Sequence, residues 1–143
     1  MNKPLLICMM GLPRSGKTTI VRELMKKHNA PVVRRDDIRL ALHTQRYVSS
    51  AEPFIKAISD VMIRSLFLSG HEVIICDETN YSRATRDYHK SDKWNTVFYE
   101  VLTTPEVCKE RALATSQPDL CPVIDAMYAR YEPLGEDEGR YVG

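Results

Sequence analysis

The alternation of apolar runs with amphipathic stretches predicts an α/β fold, a three-layer sandwich around a mostly parallel sheet of four to five strands. Three observations carry this reading. The run Leu5–Met10 (LLICMM) ends at Gly11 and leads into apolar residues at helical spacing. A second run, residues 73–76, delivers a polar cluster, and a third, residues 97–102, comes shortly before a proline that fits a helix start. Short continuous apolar runs are what strands buried on both faces require, and only helices on both sides of a parallel sheet bury them so.

Each element has its own justification. After Gly11, Ile20, Val21, Leu24 and Met25 fall on one helical face and Arg22, Glu23, Lys26 and Lys27 on the other, until Asn29, Ala30 and Pro31 end the helix. Val32 and Val33 open a second strand that stops at Arg34-Arg35-Asp36-Asp37, and residues 38–42 resume a helical pattern. Residues 43–50 read as a polar connection. From Ala51, the spacing of Phe54, Ile58, Val61, Met62 and Leu66 marks the longest helix, with Gly70 just past its end. Residues 72–76 form a third strand that presents Asp77, Glu78, Thr79 and Asn80 at its carboxyl end. Ser82 caps a following helix that carries Arg83, Arg86 and Lys90 on its surface. Pro105 fits the first turn of a helix running to about Ala114, residues 117–121 break it, and Pro122 restarts one with Ile124, Met127, Tyr128 and Tyr131 on a face. The tail from Pro133, rich in Gly and acid, is expected to lie over the surface.

A chain of 143 residues reads as one domain, 1–143. With 43% hydrophobic and 27% charged residues the composition is that of a soluble globular protein. A formal net charge of +1 excludes a surface that is basic everywhere, so a polyanionic partner must be met by a local cluster of Arg and Lys. Cys8, Cys76, Cys108 and Cys121 show no C-x-x-C spacing, and two of them sit in apolar runs as small hydrophobes. A reduced cytoplasm, bacterial or of a phage-infected host, is the expected setting. The N-terminal apolar run is too short to span a membrane and leads straight into a loop, which does not fit a signal peptide.

That loop carries the strongest chemical signal. Gly11, four residues, then Gly16-Lys17-Thr18 fits G-x-x-x-x-G-K-[ST] between strand and helix. In this pattern glycines let the backbone curl so that successive N–H groups, those of Arg14, Ser15 and Gly16 among them, line a phosphate cradle to which Pro13 adds its ring but no N–H. Lys17 is expected to reach the β- and γ-phosphates of ATP and Thr18 to place its hydroxyl on Mg²⁺, while Thr19 supports the loop.

GLPRSGKTT, the cluster RRDDIR (34–39), CDETN (76–80), TPEVCKER (104–111) and PVIDAMY (122–128) occur in this order. Together they resemble the kinase domain of the bacteriophage polynucleotide kinase family, and the resemblance covers nearly the whole chain. It implies a P-loop kinase sandwich with a helical lid, and transfer of a γ-phosphoryl group from a nucleoside triphosphate to a nucleic-acid hydroxyl, DNA or RNA. It further implies that Asp36 accepts the proton of the attacking hydroxyl and that Arg39 grips the acceptor's phosphate. Asp77 matches a Walker B carboxylate, either holding Mg²⁺ or fixing the base. Asn80 matches a position that shapes the acceptor site, and an ordinary turn asparagine is the alternative. Arg111 matches a lid arginine closing on the nucleotide. The family's second lid arginine is replaced here by Thr115, with Arg14 as one candidate for the missing charge.

The acceptor so implied is a 5′-hydroxyl end. An alternative is a 5-hydroxymethyl pyrimidine, such as 5-hydroxymethyluracil, within phage DNA, flanked by Arg46, Tyr47, Tyr81, Arg83 and Arg86. A reading from another class is a non-catalytic ATP-binding switch, against which Asp36 argues.

Overall fold

A computed structural model describes residues 3–44 and 47–143. The strands are β1 (Leu5–Met10), β2 (Val32–Arg34), β3 (Val73–Asp77), β4 (Asn95–Glu100) and β5 (Gly139–Arg140), and every pairing among them is parallel, in the order β2-β3-β1-β4-β5. Parallel neighbours need crossovers, which α1 (Lys17–His28), α2 (Arg35–His43), α3 (Glu52–Leu68), α4 (Arg83–Asp87), α5 (Pro105–Ala114) and α6 (Leu120–Ala129) supply. The chain leaves β1 toward β2 on one side and later leaves β3 for β4 on the other. The order of connection therefore reverses between β1 and β3, and the crevice beyond their carboxyl ends is where ligands bind in such sheets.

Side chains alternate along β1. Leu6, Cys8 and Met10 join Ile74, Cys76 and Phe98 in a core under α3 and Trp94, whereas Ile7, Met9 and Ile75 face Val21 and Leu24 of α1. Gly70, at φ +101, follows the end of α3 in the left-handed conformation glycine accepts at least cost. Leu12 of the phosphate loop packs with Cys108, Ala112 and Ile124, which anchors α5 and α6 to it. Among the described residues no helix is long and apolar enough to cross a membrane.

Several boundaries differ from the sequence reading. The second helix starts at Arg35, so Asp36 and Asp37 lie inside its first turn, where carboxylates complement the helix dipole. The fourth strand is Asn95–Glu100, two residues earlier than its apolar run, because Leu5 pairs with Asn95. Helix α6 begins at Leu120 and takes Pro122 into its first turn, where its missing N–H leaves no bond unmade. The connection 43–50 contains a 3₁₀ turn, Ser49–Ala51, and residues 45 and 46 lie outside the described residues.

The tail does not merely lie over the surface. It contributes β5 on the edge of the sheet, paired through Val97↔Gly139 and Phe98↔Arg140. It also buries Glu138 against Arg86, which is 0% exposed. Arg86 was expected on a surface, and its short helix instead turns it inward, where Glu138 supplies the counter-charge a buried guanidinium requires. Its Nη1 donates to the Asn80 carbonyl at 3.2 Å and its Nη2 to that of Pro133 at 3.2 Å.

Candidate active site

The loop after β1 closes as tightly as its glycine permits. A Cβ on Gly11 would sit 2.8 Å from Ser15 Oγ and 3.2 Å from both Lys17 Cγ and Val101 Cβ, so any side chain there would force the loop open. Gly16 takes φ +96 and Arg14 φ +66, the left-handed turns that curl the backbone. Pro13 is half-buried, and Arg14 is exposed. Ser15 is buried with its hydroxyl unpartnered by protein, while its carbonyl accepts from Thr103 Oγ1 at 2.7 Å. Lys17, Thr18 and Thr19 form the first turn of α1, which carries no acidic residue, so the positive end of the helix is left unneutralised.

Burial lowers the pKa of Lys17 below the ordinary lysine value, opposed by the charges of Asp77, Asp36 and Glu78. Three carboxylates thus converge on one ammonium at the carboxyl edge of the sheet. Asp77, the last residue of β3, is 8% exposed and accepts from Arg34 Nε at 2.7 Å. Arg34 also lies 3.5 Å from Asp37. Glu78 is paired with Arg35 at 2.6 Å and with His89 Nε2 at 2.9 Å. Burial alone would raise the Glu78 pKa, and His89 and Arg35 together bring it below the usual carboxylate value.

Asp36 is 58% exposed at its side chain and accepts from Arg39 Nη1 at 2.7 Å. The rest of the Arg39 fork is taken by Glu52, at 2.9 Å through Nε and 2.6 Å through Nη2. Asn80 adopts φ +47, the turn conformation asparagine tolerates, and is buried. Its Nδ2 donates to the Met9 carbonyl at 2.9 Å, and its Oδ1 has no protein partner. The neighbouring Gly11 N–H donates to the Thr79 carbonyl at 3.1 Å, so the exits of β1 and β3 are stitched together.

Arg111 reaches the loop from α5. Its Nη1 donates to the Arg14 carbonyl at 3.2 Å and lies 3.6 Å from where a Cβ on Gly16 would be. Thr115 caps the same helix, its hydroxyl donating to the Arg111 carbonyl at 2.9 Å. Beside the loop, a cavity of about 170 Å³ opens between the ends of β1 and β4, walled by Tyr81, Tyr128, Tyr131, Leu102 and Pro105.

The structure therefore gathers Lys17, Asp36, Asp77 and Arg111 around the loop and leaves others aside. Arg86 is internal, Arg83 is bonded to Asp137, and Arg46 lies outside the described residues. The sequence leaves Arg34 and Arg35 open between solvated charge and ligand and gives no sign of a role for Glu78 or His89. The available signal was register: once β2 pairs β3 in parallel, Arg34 falls opposite Asp77.

The chain is similar in structure to a chain of a Pnkp1/Rnl/Hen1 complex, with a TM-score of 0.68 and 26% identity over 78% of its length, but spans only 40% of that chain. It resembles a putative kinase from Chloroflexus aurantiacus (TM-score 0.67, 17% identity, 97% of this chain and 86% of that one). A gluconokinase from Sinorhizobium meliloti matches equally well in shape (TM-score 0.66, 18% identity, 98% and 82%). At those two identities the likeness shows the fold alone. No curated protein sequence matches it. Residues 6–134 match the AAA domain family AAA_33. With a nucleotide-binding loop, a five-stranded parallel sheet and kinases among its structural relatives, the chain has a P-loop kinase fold and belongs to the AAA domain family AAA_33.

Proposed function

We propose that this protein is an ATP-dependent polynucleotide kinase that transfers the γ-phosphoryl group to a 5′-hydroxyl end of a nucleic acid. The observation that carries the reading is the Asp36–Arg39 pair, 2.7 Å apart, in the first turns of α2 at the edge that also holds the Lys17 ammonium. A carboxylate at such an edge can orient a hydroxyl and take its proton late in a loose transition state. A switch module that only binds nucleotide has no use for it.

In this reading the loop N–H groups, the unneutralised end of α1 and Lys17 hold the β- and γ-phosphates, and Arg111 closes over them from α5. The unpartnered Ser15 hydroxyl beneath the loop fits a site that receives a polar group. Thr18 and Asp77 offer the hard oxygen donors that suit Mg²⁺. When bound, the ion supplies positive charge to the β- and γ-oxygens. Arg34 holds the Asp77 carboxylate in place for this, and Arg39 grips an acceptor phosphate by exchanging Glu52 or Asp36 for it. Asn80 shapes the acceptor side by fixing the turn after β3.

The tyrosine-walled cavity beside the loop suits a nucleobase, since aromatic faces stack any base. A base flipped out of duplex DNA would use the same wall, which keeps a hydroxymethyl pyrimidine as the second reading. Transfer of labelled γ-phosphate separates these. The protein should label an oligonucleotide with a free 5′-hydroxyl and not one whose end is already phosphorylated. Label entering a 5′-blocked DNA only when it carries 5-hydroxymethyluracil would select the second reading. Label entering gluconate and neither nucleic acid would refute both.

A further inference from the structure

Cys8 and Cys76 are register partners on β1 and β3, and the pleat points both thiols into the core under α3. His89, just beyond α4, turns its imidazole onto the same spot. The two sulfurs and a His89 ring nitrogen all lie within 4.8 Å of one another, and all three residues are buried. His89 Nε2 is 3.9 Å from Cys76 Sγ, and Glu78 Oε2 is 2.9 Å from His89 Nε2. In a tetrahedral zinc site the usual bond lengths put neighbouring sulfur and nitrogen donors roughly 3.6 Å apart, and nitrogen and oxygen donors roughly 3.3 Å apart. His89 Nε2 thus stands about 0.3 Å farther from Cys76 Sγ and about 0.4 Å closer to Glu78 Oε2 than such bonds require.

We propose that Cys8, Cys76 and His89 form a structural binding site for a zinc ion, with Glu78, outside that trio but bonded to the His89 ring, closing on the ion as the fourth donor. Two sulfurs and an imidazole favour this borderline-soft cation over magnesium or calcium, which prefer oxygen. Charge supports the assignment. Two thiolates and the Glu78 carboxylate would exceed the ion by one negative charge, and Arg35, 2.6 Å from Glu78 Oε1, cancels it. On binding, each thiol gives its proton to water, as does the His89 ring where it is imidazolium, and the two thiolates, the neutral imidazole and the carboxylate bond the ion, with no change of oxidation state. The site clamps β1 to β3 directly beneath the crevice, because Asp77 follows Cys76 and the phosphate loop begins three residues after Cys8. It lies apart from the Thr18 and Asp77 donors proposed for magnesium and does not depend on the acceptor's identity.

Because the donors are enclosed, the ion enters while the sheet forms, so the test is refolding of the full chain. Reduced protein is unfolded in denaturant and refolded with zinc, with cobalt or with chelator, then freed of unbound metal. One equivalent of zinc is expected. The cobalt form should show thiolate-to-metal charge transfer in the near ultraviolet and the intense visible bands of a tetrahedral ion, and the zinc form should melt higher than the chelator-refolded one. Cys8→Ser should halve the charge-transfer intensity or lose the metal, whereas Cys121→Ser, outside the cluster, should change neither. Wild-type protein that refolds without retaining metal would overturn the proposal. So would cobalt bound without charge-transfer bands, or a Cys8→Ser spectrum identical to wild type.

Discussion

Arg34 and Asp77 stand opposite each other in the β2–β3 register, and their side chains close the pair with a 2.7 Å bond from Nε to Oδ2. The carboxylate proposed above to meet a nucleotide's metal ion is therefore held by an arginine two strands from the phosphate loop. Removing that arginine takes away the one side chain bonded to a nearly buried carboxylate and leaves only the Lys17 charge near it. Arg34→Met should raise the Mg²⁺ concentration needed for half-maximal transfer and lower turnover at least tenfold, while Asp37→Asn, which removes only the 3.5 Å contact, should do neither. Magnesium titrations that superimpose for wild type and Arg34→Met would show that Asp77 acts without its partner.

Lys17→Ala should abolish phosphoryl transfer and weaken ATP binding, because it deletes the half-buried ammonium at the strand edge. Preorganised charge of this kind is worth on the order of 10²–10³ in turnover. Fluorescent ATP-analogue titration together with a transfer assay checks both halves. A variant that transfers phosphate at the wild-type rate would remove the loop from the mechanism.

Asp36→Asn should lose most turnover and keep its ATP affinity, since an amide has the shape of the carboxylate but cannot accept the proton. The neighbouring Asp37→Asn serves as comparison. Because Asp36 also accepts from Arg39, the same variant should shift the acceptor KM only modestly, Glu52 still holding the fork. Normal turnover in Asp36→Asn with loss in Asp37→Asn would move the base by one residue.

Arg111→Ala should raise the apparent KM for ATP more than that for the acceptor, as its guanidinium touches the loop at the Arg14 carbonyl and nothing on the α2 side. Thr115 ends the helix as its cap, so the second lid cation is not recovered one turn further on. The opposite pattern of KM changes would place Arg111 on the acceptor side.

Glu138 should make stability depend on acid. Burial alone would raise its pKa, but bonds from Arg86 at 3.1 Å, Lys90 at 2.9 Å and the Gly135 N–H at 3.1 Å hold it at about 2, against 4.5 ordinarily. Its contribution is thus complete above pH 4.5 and is lost as the pH falls toward 2. Glu138→Gln, which leaves Arg86 buried without a counter-charge, should cost about 3–5 kcal/mol in urea melts at neutral pH and flatten the acid limb of the profile. A Glu138→Gln curve parallel to wild type between pH 5 and 3 would contradict this.

The parts of the fold legible in the sequence were those written in local pattern. The apolar runs at β1 and β3, the Ser82 cap, Pro105 and Gly70 each act on their own neighbourhood, and the structure has them as read. The loop was legible for the same reason, since a glycine spacing is a local constraint. What escaped depends on long-range pairing. Gly139 and Arg140 have no strand character of their own and become β5 only because β4 offers an open edge. Arg86 reads as a surface charge until Glu138, 52 residues later, arrives beside it. The ladder from Arg35 through Glu78 to His89 joins three separate segments and leaves no mark in any one of them.

The Arg86–Glu138 contact has a temporal side. Its two halves come from α4 and from the last residues of the chain, and Arg86 also holds the carbonyl of Asn80. The turn that follows β3 is tied to β1 through Asn80 and Gly11, and it gains its further tie through Arg86 to Glu138 only when the tail docks. Contacts that form late in folding govern chiefly how fast the native state is lost. The tail is then a latch on the active-site edge: it sets how long the finished crevice persists, and a fusion or truncation there would shorten the lifetime of the site without altering a residue in it.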